Sequence, residues 1–422
     1  MKYLLGAVAL LSTLSAAPAF AQTACTPGTY AAPDGDFVVM VKSPAVAAPG
    51  LRYLFRDGRR GATSDAGVPL TCGAKDVTVN GKSWTPIAFR ETPATFDSVG
   101  TKMNGVLIEP PGAPDVKRPL VVMVHGSERT SPIGGVYGYA VAAQGISVFL
   151  YDKRGTGGSE GEYTQNFELL AEDAARALDH ARGMATARFG RAGFFGGSQG
   201  GWVAPLAATR TKADFVAIGF GLVASPIEED REQMVSEVRA AGLGKDAEAL
   251  VSRLSQATAG LLLSDFRSGY DALDAVRAEM SDKPWATKVE GEYSGAIARM
   301  PNDELKRIGR ARVDNLELIW DYDAVAALRK LDTPLLWVLA GEDREAPIET
   351  TRGALLGLAK AGKPVDVYLF PDTDHGMFEF TTNADGSRDV TRITNGYLKL
   401  LGDWIKGDAR GAYGRAERLT RR

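Results

Sequence analysis

The ten residues Gly193-Phe194-Phe195-Gly196-Gly197-Ser198-Gln199-Gly200-Gly201-Trp202 leave this chain few ways to fold. The apolar run from Ala192 to Phe195 reads as a buried strand, and the run from Trp202 to Ala208 reads as a helix. Between them Gly196-x-Ser198-x-Gly200 carries almost no side-chain bulk. A turn this sharp strains the backbone at the serine, and only glycine-sized neighbours let strand and helix approach closely. The serine then projects above the sheet, with a helix N-terminus beneath it to favour developing negative charge. A Gly/Ser match alone arises by chance in many loops. The strand, tight turn and helix around it are the context of a nucleophile elbow.

From about residue 96 strands and helices alternate, the mark of an α/β fold with a mostly parallel sheet covered on both faces. Strands are expected at Met103–Ile108, Leu120–Val124, Ser147–Tyr151, Ala192–Phe195, Phe215–Phe220, Leu335–Ala340 and Val365–Phe370. Helices are expected at Val136–Ala143, Phe167–Met184, Gly200–Ala208, Thr350–Ala361 and Val390–Ile405. Ligands bind beyond the carboxyl ends of strands in such sheets, so the loops there hold the chemistry.

His125-Gly126-Ser127 directly follows one strand. A backbone N–H here, at Ser127 or Glu128, with that of Gln199 after the serine, would hold an oxyanion. His125 is expected to shape this loop. The loop from Tyr151 to Ser159 is glycine-rich but fits neither phosphate-binding spacing, and Asp152 and Arg154 are expected to brace it.

The chain has 3 histidines, which makes the search for a general base short. His180 lies within a helix and His125 in its loop. His375 follows the last strand, in a loop before the C-terminal helix, and is the expected base. The acid should fall between serine and histidine in chain order. Asp343, in the turn after Leu335–Ala340, is the first choice, with Glu342 and Glu345 in reserve. It would fix the tautomer of His375 and stabilise the imidazolium. Asp372 and Asp374 are expected to be loop residues.

These features together resemble the α/β-hydrolase superfamily, over residues 96–221 and 332–408. The nearest likeness is to secreted bacterial carboxylesterases and to the catalytic domain of the prolyl-oligopeptidase-like group. One departure is that Gly341 stands one residue closer to Asp343 than the common Gly-x-x-Asp spacing. The resemblance implies a serine hydrolase working through an acyl-enzyme on Ser198, with esters as the first substrate class. Thioesters and peptides use the same machinery. An exopeptidase would need a site for a free α-amino group, for which Glu228-Glu229-Asp230 is the candidate. A dehalogenase or epoxide hydrolase would need an aspartate at position 198. A binding protein on an inactivated hydrolase scaffold is the reading from outside enzymology. No cofactor or metal is implied.

Residues 222–331 carry helical patterns without strand signals and are expected to form a cap over the strand ends. Helices are expected at Pro226–Ala241, Lys245–Leu263, Tyr270–Met280 and Asp303–Ile308. Tyr151, Trp202 and Trp320 are candidates for the substrate pocket. Leu261, Leu262, Leu263, Phe266 and Tyr293 fit cap core better than pocket.

At the N-terminus, Met1-Lys2, an apolar run and Ala19-Phe20-Ala21 have the pattern of a signal peptide over 1–21. The expectation is a soluble, exported protein, periplasmic or extracellular. Residues 22–95 show short β-branched runs and are expected to be a small β-rich domain. Cys25 and Cys72 lie outside any metal-binding spacing, and the simplest reading is one disulfide, although two free thiols stay open. The formal charge of −3 gives no reason to expect nucleic acid as a partner, and the substrate should be a small molecule. The basic segment 409–422 is expected to be a frayed tail. Oligomeric state is not legible.

Overall fold

The computed structural model describes residues 25–43, 45–47, 50–113, 116–186, 188–313 and 317–420. The expected signal segment, 1–21, lies outside them.

The first strands are β1 (Gly28–Ala31), β2 (Phe37–Val41), β3 (Arg52–Phe55), β4 (Arg60–Ala62), β5 (Thr71–Cys72), β6 (Val77–Val79) and β7 (Lys82–Pro86). They form an antiparallel sheet in the order β4-β3-β2-β1-β7-β6-β5. Asn80 and Gly81, with φ of 49° and 74°, turn β6 into β7 in two residues. Strand side chains alternate between faces, and β2 is buried on both. Val38 and Met40 join Tyr53, Phe55 and Trp84 in a small core, while Phe37, Val39 and Val41 face the main domain. A disulfide joins Cys25 to Cys72 across 47 residues of sequence, with Cα atoms 5.1 Å apart.

The main sheet contains β8 (Arg90–Ser98), β9 (Thr101–Glu109), β10 (Arg118–Val124), β11 (Ser147–Tyr151), β12 (Phe189–Gly197), β13 (Val216–Gly219), β14 (Leu335–Ala340) and β15 (Val365–Phe370). A hairpin of β16 (Phe378–Thr382) and β17 (Arg388–Ile393) stands apart, and β18 (Glu417–Arg418) returns to the main sheet. Its order is β18-β15-β14-β13-β12-β10-β11-β9-β8. The strands from β10 to β15 run parallel, and β8, β9 and β18 pair antiparallel at the margins.

The helices are α1 (Val136–Ala142), α2 (Phe167–Met184), α3 (Gly200–Ala208), α4 (Pro226–Ala240), α5 (Gly244–Leu263), α6 (Tyr270–Met280), α7 (Ser294–Arg299), α8 (Asn302–Val313), α9 (Ala324–Lys330), α10 (Glu349–Lys360) and α11 (Tyr397–Lys406). One face of the main sheet packs on α2, α3, α9 and α10. The other packs on α1, α11 and the small sheet. Helices α4 to α7 share a separate core that includes Leu261, Leu262, Phe266, Tyr293 and Trp320, whereas Leu263 is exposed. No helix among the described residues is long and apolar enough to cross a membrane.

Three expectations need correction. The main sheet begins at Arg90 rather than 96, because β8 pairs with β9 along its whole length; Pro93 is tolerated there because β8 is an edge strand. The helix expected from Val390 starts at Tyr397, and the residues before it form β17. The basic C-terminal segment is not frayed over its described residues, 409–420. Tyr413 is buried, Arg418 pairs with Asp366, and β18 extends the sheet beside β15.

Candidate active site

Ser198 sits where β12 ends and α3 begins, with a left-handed φ of 51°. Gly196 and Gly201 on either side of it must be glycine for lack of room. A Cβ at Gly196 would lie 2.9 Å from the Gly200 carbonyl oxygen, and one at Gly201 would lie 2.7 Å from the Leu222 nitrogen. The strained serine is thereby held at the N-terminal end of α3, where unpaired N–H groups favour negative charge.

His375 opens the turn after β15 and faces this serine. Its Nε2 is 3.2 Å from Ser198 Oγ, and its Nδ1 lies 2.9 and 3.1 Å from the two carboxylate oxygens of Asp343. A carboxylate accepts only, so Nδ1 carries the proton and Nε2 is left to accept from the serine hydroxyl. The Phe220 ring meets the imidazole edge-on at 5.1 Å. Burial opposes a charge on His375, but the Asp343 hydrogen bond and the charges of Asp343, Glu345 and Asp374 outweigh it, leaving its pKa above the usual value.

Asp343 is held by backbone. Its Oδ1 accepts from Ala346 N at 2.7 Å and Glu345 N at 3.1 Å. The shortened Gly341 spacing still delivers it, because Gly341 N and Glu342 N bond to Phe370 O and Thr373 O of the histidine-bearing strand and loop. Glu342 instead pairs with Arg388, whose guanidinium also grips Asp374 at 2.7 Å. Arg388 therefore ties the turn that carries Asp343 to the turn that carries His375. Glu345 approaches His375 from the wrong side for an orienting acid, with Oε1 3.6 Å from Nε2. Asp372 pairs with Arg415 away from this arrangement.

The loop after β10 covers the serine. A Cβ on Gly126 would lie 3.6 Å from Ser198 Cβ. Among the described residues no hydrogen bond occupies the backbone N–H of Ser127 or Gln199. His125 is buried, with Nε2 donating to Tyr151 O at 2.5 Å, and burial pushes its pKa down to about 3. It stays neutral and fixes the loop. Asp152 accepts from Asn104 Nδ2, Gly158 N and Ser131 Oγ, while Arg154 makes a buried two-pronged pair with Asp173 at 2.6 and 2.8 Å.

The structure places all three pocket candidates in packed cores. Tyr151 and Trp202 are 2% and 5% exposed in the core beneath the site, and the indole of Trp202 donates to Ala224 O. Trp320 packs edge-on against Tyr293 in the cap core. Strand β11 and helix α3 are buried along nearly their whole length, so Tyr151 and Trp202 pack into the core although they stand beside the site loops in sequence.

The acidic run at the start of α4 divides its labour. Glu228 closes a capping box with Ser225. Asp230 is buried and accepts from Tyr293 N, Ser294 N and Ser294 Oγ. Among the described residues no hydrogen bond holds the Glu229 side chain, and it interacts electrostatically with Glu292, Glu345 and Asp343. Burial first, then those like charges, push Glu229 well above the usual carboxylate range. Glu292 is pushed up to about 7 by burial and by Glu345 and Asp230, against the lowering influence of His375. Sequence reading singled out Glu229 but missed Glu292, Lys153 and Arg388, whose roles depend on distant segments. No cluster of three or more His, Cys, Asp or Glu among the described residues is arranged to hold a metal.

Comparison with known families matches residues 115–378 to a model described as serine aminopeptidase, S33. A comparison with curated proteins finds no match. Among solved structures, an esterase of Pyrococcus furiosus is similar with a TM-score of 0.41 at 14% identity, covering 68% of this chain and 83% of that one. The acylaminoacyl peptidase of Pyrococcus horikoshii gives 0.42 at 15%, covering 78% of this chain and 45% of that one. Est1E of Butyrivibrio proteoclasticus, solved with ferulic acid bound, gives 0.40 at 16%, covering 74% and 96%. The family match spans more than half of the chain and encloses Ser198, Asp343 and His375, so this protein belongs to the serine aminopeptidase S33 family of the α/β-hydrolase superfamily.

Proposed function

We propose that this hydrolase cleaves carboxylic esters by two-step acyl transfer. The observation that carries the reading is the hydrogen-bonded line from Ser198 Oγ through His375 to Asp343. Ser198 Oγ attacks the substrate carbonyl carbon while His375 Nε2 takes its proton. The carbonyl oxygen becomes an oxyanion facing the N–H groups of Ser127 and Gln199. Collapse expels the alcohol, which takes the proton from His375. Water then attacks the acyl-enzyme with the same histidine as base, releasing the acid and restoring the serine.

Hydrolysis of p-nitrophenyl esters of increasing chain length, beside aminoacyl and prolyl p-nitroanilides, tests this reading with Ser198→Ala as control. Ester turnover that vanishes in Ser198→Ala supports it, and undiminished turnover in a clean Ser198→Ala preparation sinks it.

A second reading, cleavage of aminoacyl substrates, has its own support. Glu229, Glu292 and Glu345 bring like charges together around Asp343 and His375, and binding a substrate ammonium there would relieve their repulsion. Preference for the anilides, lost on Glu229→Gln, would move the enzyme to that class. The Cys25–Cys72 disulfide and the N-terminal signal pattern support an exported enzyme working in an oxidising compartment.

A further inference from the structure

Lys153 follows Asp152 in the loop after β11 and is only 2% exposed. Burying an ammonium is unfavourable unless its protons find acceptors, and this one has three. Nζ donates to Gly126 O at 2.5 Å, to Gln199 Oε1 at 3.2 Å and to Glu128 O at 3.4 Å. The carbonyl of Gly126 belongs to the same peptide unit as the N–H of Ser127. Gln199 supplies the other oxyanion donor from its own backbone. Lys153 thus touches both donor segments without reaching the serine.

The connections continue into a closed circuit. Gln199 Nε2 donates to Gln165 Oε1 at 3.3 Å, Gln165 Nε2 to Tyr163 Oη at 3.2 Å, and Tyr163 Oη to Ser127 O at 2.5 Å. The segment from Gly126 to Ser127 is therefore gripped at both of its carbonyls. A peptide unit is planar and trans, so a cation fixed on Gly126 O sets the direction of the Ser127 N–H on the opposite side. It also draws electron density from that N–H, and a charge-assisted bond does this more strongly than a neutral one.

We propose that Lys153 is a positioning residue that orients and polarises the Gly126–Ser127 peptide and couples it to Gln199, so that both backbone donors converge on the oxyanion. The proposal rests on Ser198 acting as the nucleophile. An isosteric apolar side chain would fill the same space without the desolvation cost, yet would leave the peptide free to turn. The groups facing the ammonium are Glu128, Arg129, His125, Gln199 and the Tyr163 ring, whose centroid is 5.1 Å from Nζ. Burial pulls the lysine down to about 8, with Glu128 opposing and Arg129 assisting, so its charge is lost in mildly alkaline solution.

The test uses the full chain as wild type, Lys153→Met and Lys153→Arg. Readouts are p-nitrophenyl ester kinetics, fluorophosphonate labelling of Ser198, thermal unfolding and inhibition by a trifluoromethyl ketone, which forms a tetrahedral oxyanion on the serine. In Lys153→Met, kcat should fall about 30-fold, somewhat less than the loss of a whole donor. KM should stay within about threefold and the ketone Ki should weaken in step with kcat/KM, as expected for lost transition-state binding. Lys153→Arg should recover part of the rate and move the alkaline limb of kcat/KM upward from about pH 8. Should Lys153→Met fail to fold, Gln199→Met opens the circuit while keeping its backbone donor, and a several-fold loss of kcat is expected. Ser198 labelling with unchanged kcat and ketone affinity in the folded variant would overturn the proposal alone. Failure of the wild type to label at Ser198 would overturn the nucleophile reading and the proposal with it.

Discussion

Asp343→Asn should disable the enzyme more thoroughly than the loss of a charge suggests, because the backbone dictates how the asparagine sits. Ala346 N and Glu345 N both donate to Oδ1 of Asp343. An asparagine must place its carbonyl oxygen there, since its amide nitrogen would meet two N–H donors. Its NH2 then occupies the Oδ2 position, 2.9 Å from His375 Nδ1. That nitrogen now faces a donor and must present its lone pair, so the ring proton moves to Nε2. There it points at Ser198 Oγ, 3.2 Å away, and the histidine can no longer accept the serine proton. Forcing this tautomer in a comparable triad lowers kcat by about 10⁴, which is about 5.5 kcal/mol at about 1.4 kcal/mol per decade. The assay is steady-state ester hydrolysis, with fluorophosphonate labelling to count intact sites. A kcat within tenfold of wild type would refute the reasoning and direct attention to Glu345, whose carboxylate lies 3.6 Å from Nε2.

Other consequences are narrower. Arg154→Met should destabilise the fold by about 3–5 kcal/mol, because it leaves Asp173, with a side chain 1% exposed, as an unpaired buried acid; urea unfolding checks this, and a loss below about 1 kcal/mol would contradict it. A base must be unprotonated to act, and the pKa of His375 is raised, so the acid limb of kcat/KM should lie above pH 6.5; a limb below that value would deny the influence of Asp343. Glu229→Gln should leave p-nitrophenyl ester kinetics nearly unchanged and raise KM for any aminoacyl substrate, and equal loss on both would make Glu229 structural.

The strands at the centre of the sheet were legible because each is a short apolar run between glycine or polar punctuation, and β11, β14 and β15 begin and end as the sequence implies. The margins were not. In β8 the first four residues, Arg90-Glu91-Thr92-Pro93, carry no large apolar side chain and none is buried, so nothing in the sequence marks the start of the main sheet there. In β17 exposed Val390 and buried Ile393 continue a helix-like spacing into Tyr397 and Leu400, which hides the break at the left-handed Gly396. At the site, the order of serine, acid and histidine in the chain located three side chains that meet in space. Lys153 and Arg388 escaped because their partners are carbonyls and carboxylates from other loops, and such pairings leave no periodicity in the sequence. Glu228-Glu229-Asp230 looked like a single acidic unit. Only folding separates Glu228 as the cap residue, Asp230 as the buried acceptor and Glu229, whose carboxylate has no hydrogen-bond partner among the described residues.

On the proposed function, Ser198 becomes acylated with His375 as its base. Mass spectrometry of the protein mixed with a p-nitrophenyl ester and quenched in acid within the first turnover tests it most directly. An acyl adduct mapped to the peptide containing Ser198, absent in Ser198→Ala and greatly slowed in His375→Gln, is the result this account predicts. Ester turnover with no adduct on Ser198, or with the acyl group on another residue, would contradict it.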